Sequence, residues 1–481
     1  MPYVPVLRPV LDFHLTHPRG LGGLRDWPHA GAAGGAACGD LIRIAVRVEG
    51  DRIGEAGFDA EGCGAARAAG SAAIELVEGA AFLDAARVTI DDVADVLGGL
   101  VPPKRHAAQL AADALHRALG AAARAGAPRL EPSARRTLVA MSGGVDSAAA
   151  AQLALDAGDE VVAVTLELWA DPATDGERSC CSPQAVTGAR DLAHGMGLPH
   201  VTLDLRDRFR AEVVDHFLDG YATGQTPNPC VRCNGHVRFD AMLDLARALG
   251  AARLATGHYA RIERDEHGPL VRAAADAHKD QSYMLAKLEP ALLERLSFPL
   301  GGVTKDAVRA LARDAGLPVA DKRESQDLCF VAGLGGRAFL QRHGGPRLRQ
   351  AGEIVDRDGR VLGRHDGQHN FTVGQRRGLR LSSERPLYVL DKDAETGRVT
   401  VGPREALQAT RVRLEEARLH RGPNAVDAVR LRYRSAPIPC RVIDNGGQLE
   451  LELEHPATAV APGQLACLMR GECVVGEGTI G

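Results

Sequence analysis

The chain has 481 residues, enough for about three domains at roughly 150 residues each. Its formal net charge is −4, so no overall basic charge marks it as a nucleic-acid binder, and any such site has to be a local patch. No apolar run reaches the length of a membrane span, and the N-terminal MPYVPVLRPVLDFHLTHPRG lacks a charged segment followed by an apolar one; we expect no membrane association, no signal peptide and a cytoplasmic location.

Residues 1–125 read as a first unit. Leu41 to Val48 alternates as a strand, and Arg52 to Phe58 reads as its hairpin partner. Helical patterns follow at Ala65–Glu78, Ile90–Leu97 and Ala107–Leu119. Two cysteines sit in glycine-flanked turns, Cys38-Gly39-Asp40 and Gly62-Cys63-Gly64, and His106 opens the last helix. Thiolate, carboxylate and imidazole at element ends suit zinc or an iron–sulfur cluster, so Cys38, Asp40, Cys63 and His106 are the candidate metal ligands. The layout, with ACGDLIRI and AEGCGAARAAGSA, resembles the iron–sulfur assembly scaffolds of the IscU/NifU type. The resemblance implies an α+β scaffold domain. One departure is that Ala107 follows His106 where those proteins carry a third cysteine, which leaves a purely structural module as the alternative.

Gly126 to Ser133 reads as turn-rich connection, and we place a linker at 126–136. Strand-like runs then alternate with helical segments: Thr137–Met141, Glu160–Leu168, His200–Leu205 and Arg253–Thr256. That rhythm predicts an α/β unit over 137–344 with a doubly wound parallel sheet, whose ligands sit at the carboxyl ends of the strands. Ala140-Met141-Ser142-Gly143-Gly144-Val145-Asp146-Ser147 falls at that edge. Its loop amides and the helix start make an anion site, Asp146 adds a carboxylate suited to Mg²⁺, and Ser142 and Ser147 can bond phosphate oxygens. SGGVDS resembles the pyrophosphate-binding loop of the N-type ATP pyrophosphatases, which split ATP between the α- and β-phosphates; no Gly-Lys-Ser/Thr follows, so it is no Walker loop. Leu254 to Tyr259 runs into a glycine turn that would admit the nucleotide at Gly257, with His258 beside the reacting groups. Lys279-Asp280-Gln281 could face phosphate or a base edge.

Ten cysteines point to metal, redox or sulfur chemistry more than to a disulfide scaffold. Thr226 to Asn234 combines turn residues with Cys230-Val231-Arg232-Cys233, a pair that serves as half a zinc site, a redox couple or a nucleophile with its neighbour. Cys180-Cys181 could add ligands, and Cys329 lies in Glu324-Ser325-Gln326-Asp327-Leu328-Cys329-Phe330. From about Gly345 short strands between glycine turns take over, predicting a small central β domain over 345–405 and a β-barrel over 406–481. Cys440, Cys467 and Cys473 lie in those strand patterns as buried small hydrophobes.

From Thr137 onward, MSGGVDS, TPNPCVRCN, ATGHYA, KDQSY, SQDLCF, TVGQRRGL, RYRSAPIPC and APGQ resemble, in order, the tRNA-specific 2-thiouridylases of the MnmA family. The resemblance implies ATP-dependent replacement of the C2 oxygen of the wobble uridine, U34, by sulfur, with AMP and pyrophosphate released. It carries Cys233 over as the nucleophile and Cys329 as the persulfide-bearing cysteine, with a Cys233–Cys329 disulfide between turnovers. Leu166 and Gly257 would line the adenosine pocket, and Asn228, Pro229 and Cys230 would border the target base. Lys279, Gln281 and Gln464 carry over as tRNA contacts. Gln375-Arg376-Arg377 and Arg432-Tyr433-Arg434 join guanidinium groups to an aromatic ring, suiting phosphate contact and base stacking. The implied partners are tRNA and a sulfur donor such as a cysteine desulfurase or a sulfur relay protein. Two routes stay open: persulfide chemistry on Cys233 and Cys329, or a [4Fe–4S] cluster held by Cys230, Cys233 and Cys329. Other readings are an adenylating amide-forming synthetase with the same loop, or an iron–sulfur carrier with a retired ATP fold.

Overall fold

The structure, a computed structural model, describes residues 8–22, 27–34, 39–171, 183–322, 328–331, 335–348 and 350–481. The first unit is a three-stranded antiparallel meander, β1 (His29–Gly34), β2 (Leu41–Glu49) and β3 (Arg52–Glu61). Alternating burial along β2 and β3 puts Ile42, Ile44, Val46, Ile53 and Phe58 inward, where the helices Gly64–Val77 and Arg105–Arg124 cover them. A capping box fixes the start of the helix Ile90–Val96: Asp92 N–H donates to Thr89 Oγ1, and the Asp92 carboxylate accepts from the Thr89 amide.

The second unit is the expected parallel sheet. Its strands are β4 (Ser133–Ala140), β5 (Glu160–Glu167), β6 (His200–Asp204) and β7 (Ala251–Thr256), with a hairpin β8 (Ala260–Asp265) and β9 (Gly268–Ala273), and a short β10 (Leu296–Ser297). The sheet order is β10-β7-β4-β5-β6, every pair parallel, so β4 lies in the middle and its carboxyl end faces the cleft between crossovers. β4 begins at Ser133, four residues before the strand read from sequence, and the residues before it are pinned: Arg129 N–H donates to Gly50 O at 2.9 Å and Leu130 N–H to Ala248 O at 3.3 Å.

The first unit packs directly on this sheet. The helix Arg105–Arg124 lies on β1 and β2 with one face and on β6 with another. Gly120 makes the second contact feasible, because a Cβ there would sit 1.7 Å from Thr202 O. One apolar core therefore runs from Ile44 and Leu119 through Leu138 and Val201 to Phe239.

Four strands, β11 (Gly352–Val355), β12 (Val361–His365), β13 (Tyr388–Asp393) and β14 (Arg398–Gly402), form the small central β domain in the order β12-β11-β14-β13. The remaining strands are β15 (Gln408–Leu419), β16 (Ala428–Arg430), β17 (Ile438–Asp444), β18 (Leu449–Thr458), β19 (Leu465–Arg470) and β20 (Cys473–Ile480). A β15–β20 pairing closes these six into a barrel, and β9 pairs with β20, so the catalytic hairpin extends the barrel sheet. The sequence did not disclose that hairpin. Cys440 and Cys467 are buried in the barrel, and burial pushes both thiols up to about 12, leaving them protonated near neutral pH. No helix among the described residues is long and apolar enough to cross a membrane.

Candidate active site

Strand β4 delivers Ala140 to the edge of the sheet, and residues 141–144 turn into the helix Val145–Asp156. The turn is closed by its own groups. Ser142 N–H donates to Ser147 Oγ at 3.1 Å, and the Ser147 hydroxyl donates to Gly144 O at 3.0 Å, with Gly143 at φ +71°. Ser147 is buried and its hydroxyl is engaged with the loop. Met141 is held from behind: its amide donates to Val164 O and its carbonyl accepts from Thr165 Oγ1, each at 2.8 Å.

Asp146, in the first turn of that helix, meets Lys305 Nζ at 2.6 and 2.8 Å and accepts from the Tyr259 hydroxyl at 2.7 Å. Lys322 Nζ donates to Gly143 O at 2.8 Å. Beside the loop is a cavity of about 240 Å³. Ala140, Met141, Ser142, Asp146, Ser147, Leu166 and Gly257 line it, and so do Arg238, Met242, His258 and Gln281. Gly257 has a reason other than admitting a ligand: a Cβ there would lie 2.8 Å from the Asp146 carbonyl carbon and the Ser147 amide, forcing the loop away from β7. Burial, followed by the nearby Arg238 charge, pushes His258 down to about 4, so its ring is neutral near pH 7; its Nδ1 lies 2.8 Å from Thr256 Oγ1.

The Cys-x-x-Cys segment starts a helix for reasons visible in its sequence. Asn228 caps it, its Oδ1 accepting from the Cys230 and Val231 amides at 3.2 and 3.3 Å, and Pro229 occupies the first turn. Cys233 is buried, and a π-type turn, Asn234–Arg238, follows it and leads into the helix Phe239–Ala248. One helical run thus carries Cys230 and Cys233 near its start and Arg238 and Met242 at the cavity. Cys329 lies in a turn anchored by Phe330, whose ring contacts Phe209, Phe217, Phe339 and Trp169. Arg232 Nε donates to Glu212 O, which ties the Cys233 helix to the segment between Phe209 and Phe217. Glu324 to Asp327 and Cys180-Cys181 lie outside the described residues.

Several expected tRNA-facing residues are engaged within the protein. Asp280 is buried: its Oδ2 accepts from Arg430 Nη1 at 2.7 Å and from the Ser282 hydroxyl at 2.8 Å, and Ala274 N–H donates to Oδ1. It ties the catalytic unit to the barrel. Gln281 Oε1 accepts from Tyr259 N–H at 2.9 Å, and Gln464 donates to Thr226 O, clamping the Thr226–Pro229 turn to the barrel. Arg432 is exposed and donates to Ala459 O; Tyr433 lies partly buried, 6.1 Å from the Tyr283 ring and 5.3 Å from the Arg434 guanidinium. Arg376 and Arg377 are exposed, and Lys279 is partly exposed at a turn.

In the first unit, Asp40, Cys63 and His106 offer ligand atoms all within 4.8 Å of one another, the one such group among the described residues. The Cys63 thiol donates to Asp40 Oδ2 at 3.2 Å, and His106 Nε2 lies 3.0 Å from the same oxygen. The Cys63 amide, and then His106, hold the Asp40 carboxyl below its ordinary range. Sulfur, nitrogen and oxygen at this spacing fit one zinc-sized ion. Cys38 lies outside the described residues. Ala107, where the scaffolds carry their third cysteine, is fully buried.

The sequence reading missed Lys305, Tyr259, Thr165, Lys322 and Arg238. A signal for two of them was present, since only six of the 58 basic residues are lysine.

The tRNA methyl transferase HUP domain family matches residues 135–333, and the NifU-like N terminal domain family matches 8–124. The tRNA methyl transferase PRC-barrel domain matches 337–403 and the aminomethyltransferase beta-barrel domain 404–480. The chain is 45% identical over 480 residues to the "Bifunctional protein NifU/MnmA" of Rubrobacter xylanophilus, covering 97% of each chain. It is 46% identical over 364 residues to the "tRNA-specific 2-thiouridylase MnmA" of Methylorubrum populi, covering 73% of this chain and 94% of that one. For the protein of the same name from Acidithiobacillus ferrooxidans the identity is 43% over 351 residues, 72% of this chain and 98% of the relative. The chain belongs to the MnmA family, in the form that carries an N-terminal NifU-like domain.

Proposed function

We propose that the chain is an ATP-dependent tRNA 2-thiouridylase acting on the wobble uridine. The observation that carries this is the helical run from Pro229 to Ala248, which joins Cys233 to the cavity behind the SGGVDS loop through Arg238 and Met242. The MnmA relatives support the same reading.

In this scheme uridine O2 attacks the α-phosphorus of ATP and pyrophosphate leaves. The terminal sulfur of a Cys329 persulfide then attacks C2, and AMP departs with the former O2. The Cys233 thiolate attacks Cys329 Sγ, the sulfur–sulfur bond to the base breaks, and its electron pair remains on the new C2 sulfur. A thiol reductant returns the Cys233–Cys329 disulfide to two thiols. The loop amides of residues 141–147 orient the phosphates, Asp146 would hold Mg²⁺, which offsets phosphate charge, and neutral His258 lies beside the reacting atoms. Asn228, Pro229 and Cys230 border the base, and Lys279, Arg376, Arg377, Arg432 and Tyr433 offer tRNA contacts. Asp40, Cys63 and His106, with Cys38, would hold zinc or an iron–sulfur cluster. A cysteine desulfurase or relay protein supplies the sulfur, and we place the reaction in the cytoplasm, where tRNA and ATP are.

Mass spectrometry of tRNA nucleosides after incubation with ATP and a persulfide donor tests the reading. Wild type should form 2-thiouridine, and Cys329→Ala should form none while still releasing pyrophosphate, because adenylation comes first. Absence of 2-thiouridine with wild type would overturn the assignment. Cys230→Ala separates the two sulfur routes: the persulfide route needs only Cys233 and Cys329 and keeps substantial activity, whereas a three-cysteine cluster is lost with Cys230.

A further inference from the structure

We propose that Lys305 holds the pyrophosphate leaving group, with Asp146 and Tyr259 keeping its ammonium at the loop. This rests on the reading of SGGVDS as an ATP site.

The position of Lys305 is fixed from several sides. Thr304 caps the helix Lys305–Asp314, its Oγ1 accepting from Ala307 N–H at 3.3 Å, and the Lys305 amide donates to Asp276 Oδ2 at 3.1 Å. The side chain is buried, and its ammonium spans both oxygens of Asp146, with the Tyr259 ring 5.8 Å away. A buried ammonium is retained only where opposite charge meets it. Asp146 supplies one negative charge, is about a third exposed, and stands in the first turn of the helix that the loop opens. Any phosphate drawn to those amides comes within reach of the same ammonium, whose three N–H groups can bridge a carboxylate and a phosphate oxygen together.

The chemistry calls for such a charge. When the bond between the α-phosphorus and the bridging oxygen breaks, its electron pair goes to that oxygen, so negative charge grows on the β-phosphate side. A compact ammonium stabilises charge developing at a point, whereas a guanidinium fork is suited to a flat pair of oxygens. In a chain with 52 arginines and six lysines, two lysines reach this loop. Lys322 is exposed and bonds the Gly143 carbonyl, which shapes the turn; Lys305 is the buried one beside the carboxylate. Asp146 would hold Mg²⁺, and Lys305 beside it shares its charge between that carboxylate and the departing group.

Calorimetric titration of the full-length protein, in Mg²⁺, with ATP, inorganic pyrophosphate and AMP tests this. Lys305→Met should weaken pyrophosphate and ATP binding about tenfold or more and leave AMP binding within about twofold. Lys305→Gln, which keeps part of the stem and two N–H donors without the charge, guards against misfolding and should show the same split. Pyrophosphate bound as tightly by the variants as by wild type would overturn the proposal, and so would an equal loss for AMP, which would mark Lys305 as a support for the whole cavity. Wild type with no affinity for ATP or pyrophosphate would instead overturn the ATP-site reading beneath it.

Discussion

On its N-terminal side the catalytic sheet meets the NifU-like unit through a histidine cluster, main chain and an Arg–Asp pair; on its other side it meets the barrel mainly through carboxylates. In the first seam the rings of His116, His194 and His200 lie 5.2 to 6.2 Å apart, His200 N–H donates to Ala86 O at 2.8 Å, and Arg190 pairs with Asp113 at 2.6 Å. In the second, Asp280 meets Arg430, Asp265 meets Arg421 at 2.7 Å, and Glu477 lies buried 3.9 Å from Lys287. Burial acts in opposite directions on the histidine cluster of the first seam and on Glu477 of the second. It pushes His194 down to about 4 and holds His116 and His200 well below their ordinary value, while it pushes Glu477 up to about 7. The difference teaches that one buried sheet can carry two acid responses, set by whether the neutral form of the buried group is the base or the acid.

The largest way to break the comparison is to strand one charge of a buried pair. Arg190→Met leaves Asp113 unpaired in the first seam and should cost about 3 kcal/mol, read by chemical denaturation. Arg430→Met should cost a similar amount through Asp280, and its loss should appear in the barrel strands by hydrogen exchange before it appears in the first unit. If both variants destabilise the same segments first, the seams are not separate.

The acid responses sharpen the contrast. A histidine with a lowered folded value contributes stability present above its unfolded value near 6.5 and lost as pH falls toward 4, so His194→Gln should flatten the stability curve between those limits. A carboxyl with a raised folded value contributes stability present below 4.5 and lost as pH rises toward 7, so Glu477→Gln should flatten the curve there and stabilise the protein at pH 7. Each effect is roughly 2–3 kcal/mol at its extreme, measured by urea titration across pH. A Glu477→Gln protein less stable than wild type at pH 7 would refute the second assignment.

The smallest expected effect is at the candidate metal triad. Cys63→Ser removes the sulfur ligand next to Asp40 and His106, so bound zinc or iron in the full-length protein should fall, with the unfolding temperature in chelator unchanged within about 2 °C. Equal metal content in wild type and variant would favour a structural module.

Much of this was legible because the deciding residues are neighbours in the chain. SGGVDS closes on itself within six residues, and Asn228-Pro229 caps its own helix. The Asp40–Cys63–His106 cluster was readable although Asp40 and His106 are 66 residues apart, since Asp40 and Cys63 stand beside glycines at element ends and His106 opens a helix three residues after Pro103. Lys305 and Tyr259 were not: they reach Asp146 across 159 and 113 residues, and nothing in their local pattern distinguishes them from a capped surface helix or a strand end. The burial of Asp280 was not legible for the same reason. Its partner Arg430 is 150 residues away, and a polar run ahead of a short helical turn looks solvated until the barrel arrives.

The pinned segment before β4 limits what joining the two units in one chain can do. A slack tether raises the encounter rate of its two ends; a stretch bonded through Arg129 to Gly50, and through Leu130 and Ser133 to Ala248 and Gly250, has no slack to swing. Along the helix Arg105–Arg124, a rise of 1.5 Å per residue puts His106 about 21 Å from Gly120, where the helix touches β6. The candidate metal centre is therefore mounted on a rod at a set reach from the sheet. What the fusion supplies is equal copy number and a fixed bearing, in place of a swinging arm.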